Sequence, residues 1–285
     1  MSGRFTAACV QLNSGPEVAA NIAAASGLVR AARKAGADLI LTPEVSDMIE
    51  PRRDHVLAKA KSEAQHPMLA AFRDLAHETG AWLLLGSIVV RDDGAERLAN
   101  RSFLITPQGE IAARYDKIHM FDVDLPTGES HRESRTYRPG ETARVAVLPW
   151  GKLGMTVCYD LRFAYLYRAL AQAGADFISV PSAFTVPTGQ THWHVLLRAR
   201  AIETGCFVLA PAQSGEHAGG RRTYGHSLIV SPWGEVLAEA PDGPGFIAAE
   251  IDPAKVAEAR RAIPALDHDR RFAPPAGKSG AVAAE

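Results

Sequence analysis

The chain has 285 residues, of which 47% are hydrophobic and 22% charged, and a formal net charge of −1, which provides no overall field to draw it to nucleic acid or an anionic membrane. Its longest apolar runs, such as WLLLGSIVV from Trp82 to Val90, are strand-sized and too short to span a bilayer, and the N-terminal MSGRFTAACVQL lacks the apolar stretch of a secretory signal. Three sparse cysteines, Cys9, Cys158 and Cys206, argue against a disulfide framework and for a reducing compartment, so a cytoplasmic protein is expected.

The first elements alternate. RFTAACVQL reads as a strand, the Ala-rich segment from Glu17 to Lys34 has helical spacing, and AGADLILTP follows as a buried strand. Glu44 directly follows that strand. A carboxylate there is hard to solvate unless the strand end opens on a cleft, and strand C-termini are where α/β sheets place ligands.

The same pattern recurs. AGADLILTPE (from Ala35) matches AGADFISVPS (from Ala173) at an offset of 138 residues. ETGAWLLLGS (from Glu78) matches ETGCFVLAPA, and TPQGE (from Thr106) matches SPWGE, both at an offset of 125. The shared order predicts a duplicated unit, with about a dozen extra residues in the first half, most simply after Glu44. Two stacked copies would bury their sheets against each other and leave helices outside, a four-layer αββα sandwich.

Further on, Lys117 in ARYDKIHMFDVD sits among apolar neighbours, with Asp116 and Asp122 as ordinary ion-pair partners. Glu133 lies in the polar stretch from Asp122 to Gly140, which shows no periodicity; long irregular segments tend to line sites. Cys158 ends the strand-like KLGMTV. Helical spacing starts at Asp160, a candidate N-cap, so the sulfur is expected at an exposed strand-to-helix turn. Cys9 and Cys206 sit in apolar strand runs and read as core. Arg162, one turn after Cys158, is within side-chain reach of the same cleft. It is expected either to clamp a substrate carboxylate or to pair with Asp160 or Glu44. His131, Arg132, Arg135 and Arg138 add positive charge. Ser182 is the repeat counterpart of Glu44, and with Phe184 in PSAFT it is expected on the substrate side. His192 and His194 are two apart and share no helix face, so no metal site is expected from them or from His226. The domain is expected to run over residues 1–272, followed by a Pro-, Gly- and Ala-rich flexible tail over 273–285.

Together LTPEVSD, YDKIHMFDVD and TVCYDLRF resemble, in order, the three signature segments of the nitrilase or carbon–nitrogen hydrolase superfamily, over a span from about Phe5 to Phe272. HWHVLLRARAIETGCFV and YGHSLIVSPWGEVLAE resemble its Nit branch. The resemblance implies the αββα fold, Glu44 as general base, Lys117 as the lysine of the set, Cys158 as nucleophile and Glu133 as a second glutamate beside it. It also implies a homodimer or larger homo-oligomer, and a substrate that is a small ω-amide carrying a carboxylate, cleaved to acid and ammonia through a thioester. Deaminated glutathione is favoured; 2-oxo ω-amides such as 2-oxoglutaramate or 2-oxosuccinamate, nitriles, carbamoyl amides and a catalytically silent binding protein on the same fold stay open. The chemistry it implies places Lys117 and the backbone N–H of Tyr159 at the oxyanion and gives Glu44 a raised pKa. No cofactor or metal is expected. His194 stands where related sequences often carry an acid, which bears on fine specificity rather than on the chemistry.

Overall fold

The computed structural model describes residues 3–273, so the expected tail lies, beyond Ala273, outside the described residues. In chain order, β1 (Phe5–Gln11), β2 (Leu39–Leu41), β3 (Trp82–Val90), β4 (Ala99–Ile105) and β5 (Ile111–Asp116) build one sheet. A short pair, β6 (Asp122–Asp124) and β7 (Ser130–Arg132), follows. The second sheet takes β8 (Arg144–Leu148), β9 (Gly151–Met155), β10 (Phe177–Ser179) and β11 (Phe207–Ala210). After a hairpin of β12 (Ser214–Glu216) and β13 (Arg222–Tyr224), it takes β14 (Leu228–Val230) and β15 (Val236–Glu239). β16 (Gly245–Ile251) returns to the first sheet, antiparallel to β1. The helices are α1 (Val18–Lys34), α2 (Arg53–Lys59), α3 (Pro67–Thr79), α4 (Ala164–Gln172), α5 (Val186–Thr204) and α6 (Ala254–Ala262).

The strand orders β16-β1-β2-β3-β4-β5 and β8-β9-β10-β11-β14-β15 superpose position for position. Each has an antiparallel edge strand, three parallel strands and two antiparallel ones. The repeat read from AGAD, ETG and PQGE/PWGE is therefore structural. Both ETG segments close a helix on a glycine in the left-handed region, Gly80 after α3 at φ 62° and Gly205 after α5 at φ 61°, a conformation in which a Cβ would be penalised. The extra residues of the first half carry α2.

Side-chain alternation sets the layers. On β1, Phe5, Ala7 and Cys9 face the second sheet, while Ala8 and Val10 face α1 and α3. Phe5 stacks on Trp150 at 4.3 Å and meets Phe177 edge-on at 5.3 Å, which joins the two sheets. All three residues of β2 are fully buried, as a parallel strand covered on both faces requires. α1 and α3 cover the first sheet and α4 and α5 the second, which gives the αββα sandwich.

Two local expectations are corrected. The helix after Cys158 starts at Ala164, not at Asp160. Residues Cys158–Arg162 form a separate 3₁₀ turn, because the Asp160 carboxylate accepts the Val157 N–H at 2.9 Å and closes the bend early. The stretch from Asp122 to Gly140 is not irregular throughout, since it folds into the β6–β7 hairpin and a 3₁₀ turn at Glu133–Arg135.

Candidate active site

The ends of β2, β5 and β9 open on one cavity of about 230 Å³, lined among others by Glu44, Lys117, Glu133, Cys158 and Tyr159. Glu44 follows β2 on a bend pinned to β3: Val45 N donates to Ser87 Oγ at 2.9 Å and Ser46 N to Ser87 O at 2.9 Å. Val45 has φ 46°, a position that costs a β-branched residue about 1–3 kcal/mol and that the bend enforces. Cys158 has φ 50°, and its N–H is taken by Pro181 O at 2.9 Å. The two strained residues thus flank the same cleft. Gly86 on β3 lies where both bends approach: a Cβ there would stand 1.9 Å from Thr42 O, 2.6 Å from Pro43 O and 2.6 Å from Pro181 Cβ.

The bend at Cys158 is braced by Asp160, which is fully buried. Besides Val157 N, its carboxylate accepts Tyr115 Oη at 2.6 Å and His119 N at 3.0 Å, with His119 Nδ1 at 2.6 Å. One acid thus ties the cysteine turn to the segment that carries Lys117.

Lys117 is 2% exposed and sits between two carboxylates. Its Nζ donates to Glu44 Oε1 at 2.8 Å and to Glu133 Oε2 and Oε1 at 2.8 and 3.0 Å. Neither Asp116 nor Asp122 competes: Asp116 pairs with Arg101 and Arg138, and Asp122 accepts from Ser134. Asn100 bridges the same acids from β4, its Nδ2 lying 3.0 Å from Glu44 Oε1 and 3.3 Å from Glu133 Oε1. Glu133 also accepts Phe121 N at 2.6 Å.

This packing sets the ionisation. Burial pushes the Glu44 carboxyl up, but the charge and hydrogen bond of Lys117, a hydrogen bond from the Cys158 thiol and the charge of Arg221 together hold it below the usual carboxylate range. The expected raised pKa is therefore corrected, and the ammonium 2.8 Å away is the cause. Burial works against the Lys117 charge as well, yet Glu133 and Glu44 raise its pKa well above the ordinary lysine value. Burial and then the Glu44 charge push the Cys158 thiol well above the ordinary cysteine range, with Lys117 opposing. At neutral pH the site holds a carboxylate base, an ammonium and a neutral thiol.

Arg162 and Phe184 line the cavity. The Arg162 guanidinium lies 5.9 and 5.6 Å from the ring centres of Tyr159 and Phe184 and 3.3 Å from His192 Nδ1. It pairs with neither Asp160 nor Glu44. Ser182 is outside the lining: it is fully buried, and its hydroxyl turns back to donate to Val180 O at 3.0 Å. His131 and Arg132 reach the cavity, but Arg132 is held by Asp124 at 2.8 Å and Arg138 is tied to Asp116 at 2.9 Å, so the expected basic loop is largely neutralised.

Among the lining residues not singled out from the sequence are Asn100 and Arg221. Asn100, a strand-disfavoured residue inside the apolar ANRSFLI, was a usable signal. Arg221, in AGGRRTYG, looks like any surface-turn arginine. It reaches the cavity with Nη2 donating to Ala183 O at 3.1 Å, and its Nε is buried without a partner.

Such an arrangement offers a thiol, a base beside it and a fixed positive charge, the parts needed for acyl transfer through sulfur. Residues 6–261 match the family model described as carbon–nitrogen hydrolase. The chain belongs to the carbon–nitrogen hydrolase family and is an enzyme of its amidase class. Over 265 residues it is 40% identical to the deaminated glutathione amidase of Yersinia enterocolitica, covering 92% of each chain. It is 41% identical over 268 residues to the human deaminated glutathione amidase, covering 92% of this chain and 81% of that one. The structure of Saccharomyces cerevisiae Nit3, a member of branch 10 of the nitrilase superfamily, superposes with a TM-score of 0.85 at 30% identity, over 95% of this chain and 98% of that one. An amidase from Nesterenkonia sp. AN1, solved as a mutant with the acetamide moiety of fluoroacetamide added to its active-site cysteine, superposes with a TM-score of 0.76 at 27% identity, over 90% and 94%.

Proposed function

We propose that Cys158 is the nucleophile of a linear-amide hydrolase in which Glu44 is the shared base, Lys117 and the Tyr159 N–H hold the oxyanion, and Glu133 fixes Lys117. The observation that carries this is the buried Glu44–Lys117–Glu133 set facing the same cavity as Cys158. Glu44, ionised at rest, takes the thiol proton as sulfur adds to the amide carbonyl. The charge that develops on oxygen falls to Lys117 and to the N–H of Tyr159, since the Cys158 N–H is already spent on Pro181; one such donor is worth about 3 kcal/mol. Protonated Glu44 then gives its proton to the departing nitrogen, leaving a thioester. It next draws a proton from water as the water oxygen adds to the thioester carbonyl, then passes that proton to the departing Cys158 sulfur, which releases the acid and restores the thiol and the Glu44 carboxylate.

We further propose a substrate with a carboxylate remote from the amide, deaminated glutathione first. Arg162 and Arg221 support this: both line the cavity, and their guanidinium contacts are with His192 Nδ1 and Ala183 O rather than with an acidic side chain. The relatives named above point the same way. With deaminated glutathione the leaving group is the cysteinylglycine amine rather than ammonia, so the keto acid is the product to measure. The test is kcat/KM for deaminated glutathione, 2-oxoglutaramate and a neutral amide of equal length. Preference for 2-oxoglutaramate makes the enzyme an ω-amidase; equal rates with the neutral amide remove the carboxylate requirement; turnover only of a nitrile or carbamoyl amide overturns the reading.

The described fold supports one catalytic domain over residues 1–272. Exposed Tyr165 on α4 and Val195 on α5, each 67% exposed, support a homodimer built on that face. Light scattering at micromolar concentration tests it. Three free cysteines support a reducing, cytoplasmic setting.

A further inference from the structure

A second cluster lies apart from the cavity. His194 on α5, His226 just before β14 and Glu239 at the end of β15 converge: Glu239 Oε1 is 2.9 Å from His194 Nε2 and 2.8 Å from His226 Nδ1. The nitrogens and the carboxylate oxygen all lie within 4.8 Å of one another. His226 is held in the left-handed region at φ 54°, one of three non-glycine residues so placed among the described ones, and the other two flank the active site. Its ring stacks on Tyr224 at 4.3 Å, and its carbonyl accepts Trp193 Nε1 at 2.8 Å. The backbone is thus locked in a disfavoured form that turns this imidazole towards Glu239 and His194. The helix spacing that separates His192 from His194 sends the first to Arg162 and the second to this cluster.

We infer that His194, His226 and Glu239 form a binding site for a divalent transition-metal ion, zinc being the best match. Two imidazoles and one carboxylate suit a borderline cation, whereas magnesium and calcium want mostly oxygen. An ion about 2.0–2.2 Å from each of the three atoms leaves its remaining positions to water, because the cluster is partly open to solvent. Binding replaces the two N–H donations to Glu239. In neutral rings each proton moves to the other ring nitrogen; in a charged ring one proton leaves to solvent. His226 Nε2, the nitrogen that then carries the proton, faces solvent, with Asp242 Oδ1 3.8 Å away and outside hydrogen-bond distance. The ion would strap α5 to the β14–β15 hairpin.

The experiment uses the full chain, freed of metal with a chelator and carrying Cys158→Ala so that the active-site thiol cannot bind. Calorimetry and thermal melting are run with zinc chloride, and with magnesium chloride as control. The expected result is saturable binding of one zinc per chain, a higher Tm with zinc and none with magnesium, and cobalt-induced visible bands of a nitrogen–oxygen site. His194→Ala and Glu239→Gln, both at partly exposed positions, should each weaken zinc binding by about tenfold or more while lowering the metal-free Tm by only about 2–4 °C, the worth of the hydrogen bonds to Glu239. Absence of saturable zinc binding, or zinc binding that survives both substitutions, overturns the proposal. Neither outcome bears on hydrolysis by the separate cavity.

Discussion

Glu44 and Ser182 occupy the same place in the two halves of the chain, each three residues past a central strand, yet only Glu44 faces the cavity. Ser182 folds its hydroxyl back onto Val180 O, while the residue before it, Pro181, supplies the carbonyl that holds Cys158. The duplication thus delivers the same bend twice, once to present an acid and once to support the nucleophile. Ser182→Ala should leave KM and kcat nearly unchanged and cost about 1 kcal/mol of stability, read by urea unfolding. Glu44→Gln should abolish turnover. A large KM effect at Ser182 would place substrate against it.

Lys117 holds two buried carboxylates together, so its removal should be felt in stability as well as in rate. Lys117→Met leaves Glu44 and Glu133 facing each other with Asn100 between them. The expected loss is about 3–5 kcal/mol, a fall in Tm of roughly 10 °C, together with loss of turnover. The pH dependence should invert. In the native protein the Glu44 carboxyl is depressed, so its contribution is present above the ordinary carboxylate pKa and is lost as pH falls through the depressed value. Without Lys117 it is raised, and the variant should gain stability as pH falls towards the carboxylate range. The native loss lies below the ordinary carboxylate pKa of about 4.3 and the variant's gain above it, so melting scans from pH 8 to about pH 3 read both signs.

Cys158 should alkylate slowly at neutral pH, because the thiolate is the reactive form and burial beside Glu44 raises the thiol pKa. Its iodoacetamide rate should climb with pH past the ordinary cysteine range. In Glu44→Gln the nearest opposing charge is gone while Lys117 remains, so labelling at pH 7 should be faster than in the native enzyme although turnover is lost. Mass spectrometry should place the label on Cys158, since buried Cys9 and Cys206 do not line the cavity.

Arg221→Ala should raise KM for the carboxylate-bearing amide by about tenfold to a hundredfold, the worth of a charge-assisted hydrogen bond, and change little for a neutral amide. Steady-state kinetics on the pair separates this from a general loss of the site; equal losses on both amides would make Arg221 a support for the loop instead.

Gly86→Ala places a methyl against Thr42 O and Pro181 Cβ, so the bends bearing Glu44 and Cys158 must move together. The expected cost is about 1–3 kcal/mol, with a larger loss in kcat than in KM because alignment, not binding, is disturbed.

The layering and the repeat were legible because buried strands and helix-ending glycines leave local signals. Position alone left Glu44, Lys117 and Cys158 open between a site and ordinary surface or core roles; it was the resemblance of LTPEVSD, YDKIHMFDVD and TVCYDLRF to the nitrilase superfamily that joined them into one set, and the structure brings all three to one cavity. The ionisation of Glu44 was not legible, because its sign is decided by an ammonium 73 residues away in sequence. Asp160 looked like a helix cap, and its carboxylate does cap, but its contacts with Tyr115 and His119 are long-range. Arg221 escaped notice because a guanidinium in a glycine turn reads the same whether it points to water or into a cavity.

β16 pairs with β1 over seven register positions, from Phe5 with Ile251 to Gln11 with Gly245. The first strand of this domain therefore waits for its last one before the sheet is closed. Until then β1 is an unpaired apolar edge, open to the matching edge of another nascent chain. Chains that terminate before Gly245 should accumulate as insoluble aggregates rather than as a shorter folded protein, whatever the state of their catalytic residues.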